Sequence, residues 1–181
     1  MEVKRTFDVL ESGLKNFPLD VALASKVNGE WKSYSTKEYK EIVDKVSEGL
    51  LALGVKKGDK IATITNNRPE WNFINYGVAQ IGAVLCPVYP TISESDYKFI
   101  FNDAEIKYAF LSDKDLNAKI ESIRSEVPTL EKVYSFDEIE GVNHWKELLS
   151  LDKVSDSNKI IEGLKAGVSE KDLVTIIYTS G

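Results

Sequence analysis

"LALGVKKGDKIATITNNRPEW", Leu51 to Trp71, sets the architecture of this chain. Gly54 supplies a stop for a helix that ends in Leu50 and Leu51. Lys56 to Asp59 make a polar turn, and Lys60 to Thr65 make a short apolar strand. Asn66 and Asn67 are turn residues, and Pro69 suits the first turn of a second helix carrying Trp71, Ile74, Val78 and Ile81.

Upstream, "VALASKVNGEWKSYS" (residues 21–35) reads as two short strands around Asn28-Gly29, a hairpin signal. Ser35 is placed to cap the next helix, with Glu38 at the capping-box position and Tyr39, Ile42, Val43, Val46 and Leu50 on one face. Downstream, strands over "AVLCPVY", "YAFL" and "KVYSF" alternate with two helices. One opens at Ser93 and carries Tyr97, Ile100 and Phe101; the other carries Leu116, Ile120, Ile123 and Val127 and ends at Pro128. This alternation predicts an α/β fold, a mostly parallel sheet flanked by helices. Residues 1–35 form an N-terminal segment with the hairpin, 36–136 the α/β core, and 137–170 a polar surface connection with short helices near Trp145–Leu149 and Ile160–Leu164. Residues 171–181 hold a final strand, Leu173 to Tyr178, apolar enough to sit inside the sheet.

Composition narrows the function classes. The chain has 181 residues, 43% of them hydrophobic, and a net charge of −6 from 23 basic and 29 acidic side chains. No basic cluster stands out, which argues against a nucleic-acid partner. One cysteine, Cys86, leaves no internal disulfide framework and fits a reducing cytoplasm. It sits mid-strand with no flanking base and reads as a buried, inert thiol. The single histidine, His144, has no partner cysteines and reads as a solvated loop residue.

Ligands of open parallel sheets bind at the carboxyl ends of strands. Four such ends are legible: Thr65–Arg68, Tyr89–Thr91, Ser112-Asp113 and Thr179-Ser180-Gly181. Hydroxyls and a glycine at the last of these suit a phosphate, since they donate hydrogen bonds and let backbone N–H groups approach an anion. A plain turn would use the same residues. Arg68 stands between a strand end and a helix start, where it would either pair with an acid or face a ligand.

Taken together, "LALGVKKGDKIATITNNRPEW", "GAVLCPVYPTIS", "FNDAEIKYAFLSD" and "DLVTIIYTSG" resemble the N-terminal part of the AMP-forming acyl-CoA synthetases, the adenylate-forming superfamily, and within it the long-chain fatty-acid CoA ligases. The resemblance implies that residues 1–181 are a partial N-terminal, AMP-binding domain. It makes Thr179, Ser180 and Gly181 the start of an ATP phosphate loop of the form Y-T-S-G-T-T-G-x-P-K-G, with Thr179 also a neighbour of Mg²⁺. It implies ATP, Mg²⁺ and coenzyme A as cofactors and a fatty acid as substrate. It also brings peripheral membrane contact and a homodimer into expectation. The rest of the loop and the C-terminal domain fall outside the 181 residues, so the chain alone is expected to be inactive. A terminal carboxylate at Gly181, ~5 Å from a phosphate at an effective dielectric near 20, would add roughly 3 kcal/mol of repulsion. Two rival readings stand beside this one: an adenylate-forming ligase for another carboxylate, and a non-catalytic α/β binding module.

Overall fold

The computed structural model of the chain describes residues 2–151 and 155–179. Its hub is β3 (Lys60–Ile64), which pairs in parallel with β4 (Val84–Val88) on one side and β5 (Ile106–Leu111) on the other. Next to β5 lies β6 (Lys132–Ser135), and next to that the two-residue β7 (Asn143–His144), both parallel. The order is therefore β4-β3-β5-β6-β7.

Side-chain alternation along β3 builds a core on each face of the sheet. Ile61 joins a cluster with Val43, Val46, Ile74 and Val78, from α2 (Thr36–Ala52) and α3 (Pro69–Gln80). Ala62 and Ile64 join the other, with Tyr97, Phe101, Leu116 and Ile120 from α4 (Glu94–Asp103) and α5 (Lys114–Ile123). This is the expected α/β architecture, with helices on both faces.

Local chemistry fixes where these elements begin and stop. The Ser35 hydroxyl accepts the Glu38 N–H, and the Glu38 carboxylate accepts the Ser35 N–H at 2.8 Å, which closes the capping box of α2. At the other end of that helix, Gly54 adopts φ 83°, a conformation open to glycine at little cost. Its N–H bonds to Leu51 O and the Val55 N–H to Leu50 O, so two carbonyls that the helix leaves unpaired find donors. The chain then turns straight into β3. Asn28 and Gly29, at φ 52° and 85°, form the turn joining β1 (Leu23–Val27) to β2 (Glu30–Tyr34), as the sequence predicts.

Three features depart from the sequence reading. An N-terminal helix, α1 (Thr6–Asn16), buries Phe7 and Leu10. The segment expected to be a surface connection also contributes to the core. A 3₁₀ stretch, Trp145–Ser150, inserts Trp145 and Leu148 beside Phe73 and Phe136, and α6 (Ser157–Ala166) buries Ile161 and joins α2 through Ser157 Oγ–Glu48 Oε1 (2.8 Å). Its polar composition hid a few well-spaced apolar side chains. Finally, among the described residues Leu173–Tyr178 has a sheet neighbour on one side only. It runs along the outer edge of β4 through one parallel bridge, Leu85 to Thr175, with Leu173 59% and Ile177 62% exposed. Pro87 keeps this pairing short. Leu85 N–H and C=O face this segment and bond to Val174 O and Ile176 N (3.0 and 2.9 Å). Two residues on, the same side of β4 presents Pro87, which has no N–H to continue the ladder.

Helix glycines show where packing is tight. A Cβ on Gly49 in α2 would lie 2.2 Å from Leu148 O, whereas one on Gly163 in α6 would meet nothing within 4 Å. Gly49→Ala is therefore expected to destabilise the fold by about 1–3 kcal/mol through overpacking. By contrast, Gly163→Ala should stabilise it by about 0.4–1 kcal/mol. Urea denaturation of both variants checks the difference in sign.

Candidate functional site

Because the strands are parallel, the strand ends singled out by sequence all emerge on one edge of the sheet. Sequence direction also reverses at β3, which takes β4 on one side and β5 on the other, a place where open α/β sheets form a crevice. Arg68 stands at this edge as the residue before α3, with Pro69 as the first helical residue. Its Nε donates to Glu70 Oε2 and its Nη1 to Asp137 Oδ1, each at 3.0 Å. The guanidinium lies 4.9 Å above the centre of the Phe136 ring. Of its two sequence readings, pairing with acids is the one observed. The cation links the loop after β3 to the end of β6.

Asp113 caps α5 at the same edge: Oδ1 accepts the Leu116 N–H at 3.0 Å and Oδ2 the Ser112 hydroxyl at 2.7 Å. Burial works against ionisation there. The Leu116 N–H, the Ser112 hydroxyl and the nearby Arg68 outweigh it and hold the carboxyl below its usual range.

The fourth strand end lies on the far side of β4. Thr179 is exposed and follows the edge segment, two strand spacings or about 10 Å from β3. Arg68 and Thr179 thus mark opposite sides of the hub strand. Thr179 adjoins a groove of about 480 Å³ lined by Tyr89, Ile92, Phe99, Ile100 and Tyr178. Tyr178 donates its hydroxyl to Asp103 Oδ2 at 2.6 Å, and its ring meets Phe99 edge-on at 6.3 Å. Sequence reasoning passed over Asp103. It sits one residue before Ala104 at the end of α4, and no local pattern points from there to a residue 75 positions away. Ser180 and Gly181, the other two residues assigned to the phosphate loop, lie outside the described residues.

Cys86 is fully buried, and burial pushes its thiol up to about 11, so it is an inert core residue. His144 differs from expectation. It belongs to β7, is half-buried, and its Nε2 lies 3.0 Å from Phe136 O. Among the described residues no group of three or more His, Cys, Asp or Glu is placed to hold a metal ion, and no helix is long and apolar enough to cross a membrane.

A parallel α/β sheet with polar loops gathered at its carboxyl edge defines the class: an open α/β domain whose candidate site lies at its strand ends. Comparison with known proteins makes it specific. The profile described as "AMP-binding enzyme" matches residues 10–181, and the chain belongs to that family. It is 26% identical over 155 residues to the long-chain-fatty-acid–CoA ligase FadD15 of Mycobacterium bovis, covering 86% of this chain and 26% of that protein. Among solved structures it is similar to an anthranilate CoA ligase, AuaEII, in complex with anthranoyl-AMP (TM-score 0.75, 19% identity, 98% of this chain and 31% of that one). It is equally similar to the N-terminal domain of FACL13 from Mycobacterium tuberculosis (TM-score 0.75, 20% identity, 98% and 42%). The fold is that of the N-terminal domain of adenylate-forming ligases. The chain spans about a quarter of the length of the curated relatives it matches.

If Arg68 is architectural, Arg68→Ala leaves the half-buried Glu70 without its partner and should cost about 1–3 kcal/mol. Arg68→Lys should recover only part of this, because one ammonium cannot reproduce a two-carboxylate fork stacked on a ring. Thermal melts followed by circular dichroism test the order wild type, Lys, Ala; an unchanged melting temperature for Arg68→Ala contradicts it.

Proposed function

We propose that the protein containing this chain is an AMP-forming ligase that activates a long-chain fatty acid. In this reading the fatty carboxylate attacks the α-phosphate of ATP, the α–β phosphoanhydride bond breaks, and acyl-adenylate and pyrophosphate form. The thiol of coenzyme A then attacks the acyl carbon and displaces AMP. One observation carries the proposal for the chain's own residues. Thr179 follows an extended segment bridged in parallel to β4 at the carboxyl edge of the sheet, in a chain that belongs to the AMP-binding family. The choice of a fatty acid rests on the names of relatives such as FadD15 and the Arabidopsis long chain acyl-CoA synthetase 3. An aromatic carboxylate is the second reading, favoured by the likeness to the anthranilate ligase.

Negative charge grows on phosphate oxygens during such a transfer, and fixed donors there lower the barrier. The exposed Thr179 hydroxyl, the Ser180 hydroxyl and the Ser180 and Gly181 backbone N–H groups are proposed to meet those oxygens. Mg²⁺, a hard cation that takes oxygen ligands, would supply charge neutralisation there. The Thr179 hydroxyl fits as one such ligand. With no carboxylate cluster among the described residues, the ion would be held chiefly by the nucleotide and by residues beyond those described. The buried, unreactive Cys86 is compatible with the proposed cytoplasmic setting.

Two outcomes are expected. First, the 181-residue chain alone should give no carboxylate-dependent exchange of pyrophosphate into ATP, while the complete protein should give it with long-chain fatty acids in preference to anthranilate. Exchange by the isolated chain would overturn the first part, and a preference for anthranilate the second. Second, in the complete protein, Thr179→Ala combined with Ser180→Ala should remove on the order of 1.5–3 kcal/mol of transition-state stabilisation per charge-assisted donor lost. Unchanged kcat/KM for ATP would refute the loop assignment.

A further inference from the structure

Backbone pairing holds the edge segment only as far as Ile176. Its last ladder bond is Ile176 N–H to Leu85 O, and Pro87 has no N–H to offer the Ile176 carbonyl. Among the described residues, nothing in the backbone ladder fixes Tyr178 or Thr179. Side chains take over at that point. The Tyr178 hydroxyl reaches across to the end of α4 and donates to Asp103 Oδ2 at 2.6 Å, while Phe99, one turn earlier on the same helix, packs its ring edge-on against Tyr178 at 6.3 Å. Helix α4 is itself immobilised. Ser93 and Asp96 close its capping box, Tyr97 donates its hydroxyl to Tyr89 O at 2.8 Å, and Tyr97 and Phe101 are fully buried. Asp103 thus transmits the position of a rigid helix to the residue immediately before Thr179.

We infer that Asp103 and Tyr178 are positioning residues for the phosphate-binding loop, fixing the height of Thr179 above the sheet edge through the Tyr178–Asp103 hydrogen bond. The inference rests on the reading of Tyr178–Gly181 as the start of that loop. Neither residue touches substrate in this account. They hold the segment, with one charge-assisted side-chain bond, beyond the point where the backbone ladder stops. The phenol's tendency to stay protonated agrees: burial first, and then the Asp103 carboxylate, push Tyr178 above the ordinary tyrosine range, so the donor persists throughout the neutral pH range.

The test uses the complete protein and steady-state kinetics with each substrate varied in turn. Tyr178→Phe and Asp103→Ala are each expected to raise the KM for ATP about tenfold, equivalent to ~1.4 kcal/mol. If the pair positions only the phosphate loop, the KM for coenzyme A should stay within about twofold. Asp103→Asn keeps an acceptor oxygen and should recover part of the loss. The double variant Tyr178→Phe, Asp103→Ala should be no worse than either single one, since both remove the same bond. A lowered melting temperature with an unchanged KM for ATP in all variants overturns the inference and assigns the pair a structural role alone. Should Asp103→Ala fail to fold, Tyr178→Phe, which removes a single oxygen, decides by the same criterion. Absence of any ATP-dependent carboxylate activation in the wild-type protein sinks the loop reading, and the inference with it. Wild-type activity with variants indistinguishable from it sinks the inference alone.

Discussion

Strand β3 is paired on both sides and sealed on both faces, and the positions of the other elements follow from it. Its neighbours β4 and β5 each arrive by a crossover helix, so all three strands point the same way. The crossovers α3 and α4 lie on opposite faces and supply the two cores. A polar residue at Ile61 would disturb one layer and a polar residue at Ala62 or Ile64 the other, since all three are fully buried. The constraint is functional as well as structural. Parallel pairing to a single hub brings the ends of β3, β4, β5 and β6 to one edge, where polar loops gather although they are far apart in sequence.

Two different devices secure that edge. On the β5 and β6 side, charge does the work: Arg68 joins Glu70 and Asp137, and Asp113 is held by a helix N–H and a hydroxyl. Around the edge segment beyond β4, aromatic packing and one phenol–carboxylate bond replace a ladder that a proline interrupts. The first device joins loops to one another. The second leaves Thr179 exposed beside an apolar groove, with its predecessor fixed. A residue meant to meet a ligand needs that combination of accessibility and restraint.

Much of this is legible in the sequence where a local rule has one answer. Asn28-Gly29 admits φ > 0 at two successive positions and makes a hairpin turn. Gly54 ends a helix, Pro69 starts one, and Ser35 and Ser93 cap two others with an acid three residues on. What the sequence leaves out depends on distant partners. Trp145 and Leu148 sit in a polar stretch, and their burial is decided by Phe73, Phe136 and the close approach of Leu148 to Gly49. The apolar run Leu173–Tyr178 specifies an extended segment but not its neighbour. Its place at the edge follows from pairing with Leu85, and Pro87 was the one local sign that this pairing would be brief. The carboxyl-edge loops were identified from the fold class and from a family resemblance, whereas Asp103, which the fold brings to Tyr178, carried no signal of its own.

The central claim is that a nucleotide's phosphates meet this protein at the strand end marked by Thr179. The most direct measurement is a titration of the isotopically labelled complete protein with a non-hydrolysable ATP analogue and Mg²⁺, following backbone amide resonances. The account predicts that the Thr179 and Ser180 amides are among the most strongly shifted, with smaller changes at Tyr178 and Asp103 and little at Arg68. Saturable binding that shifts Arg68, Asp113 and Asp137 while leaving Thr179 unmoved would contradict it and place the nucleotide on the other side of the hub strand.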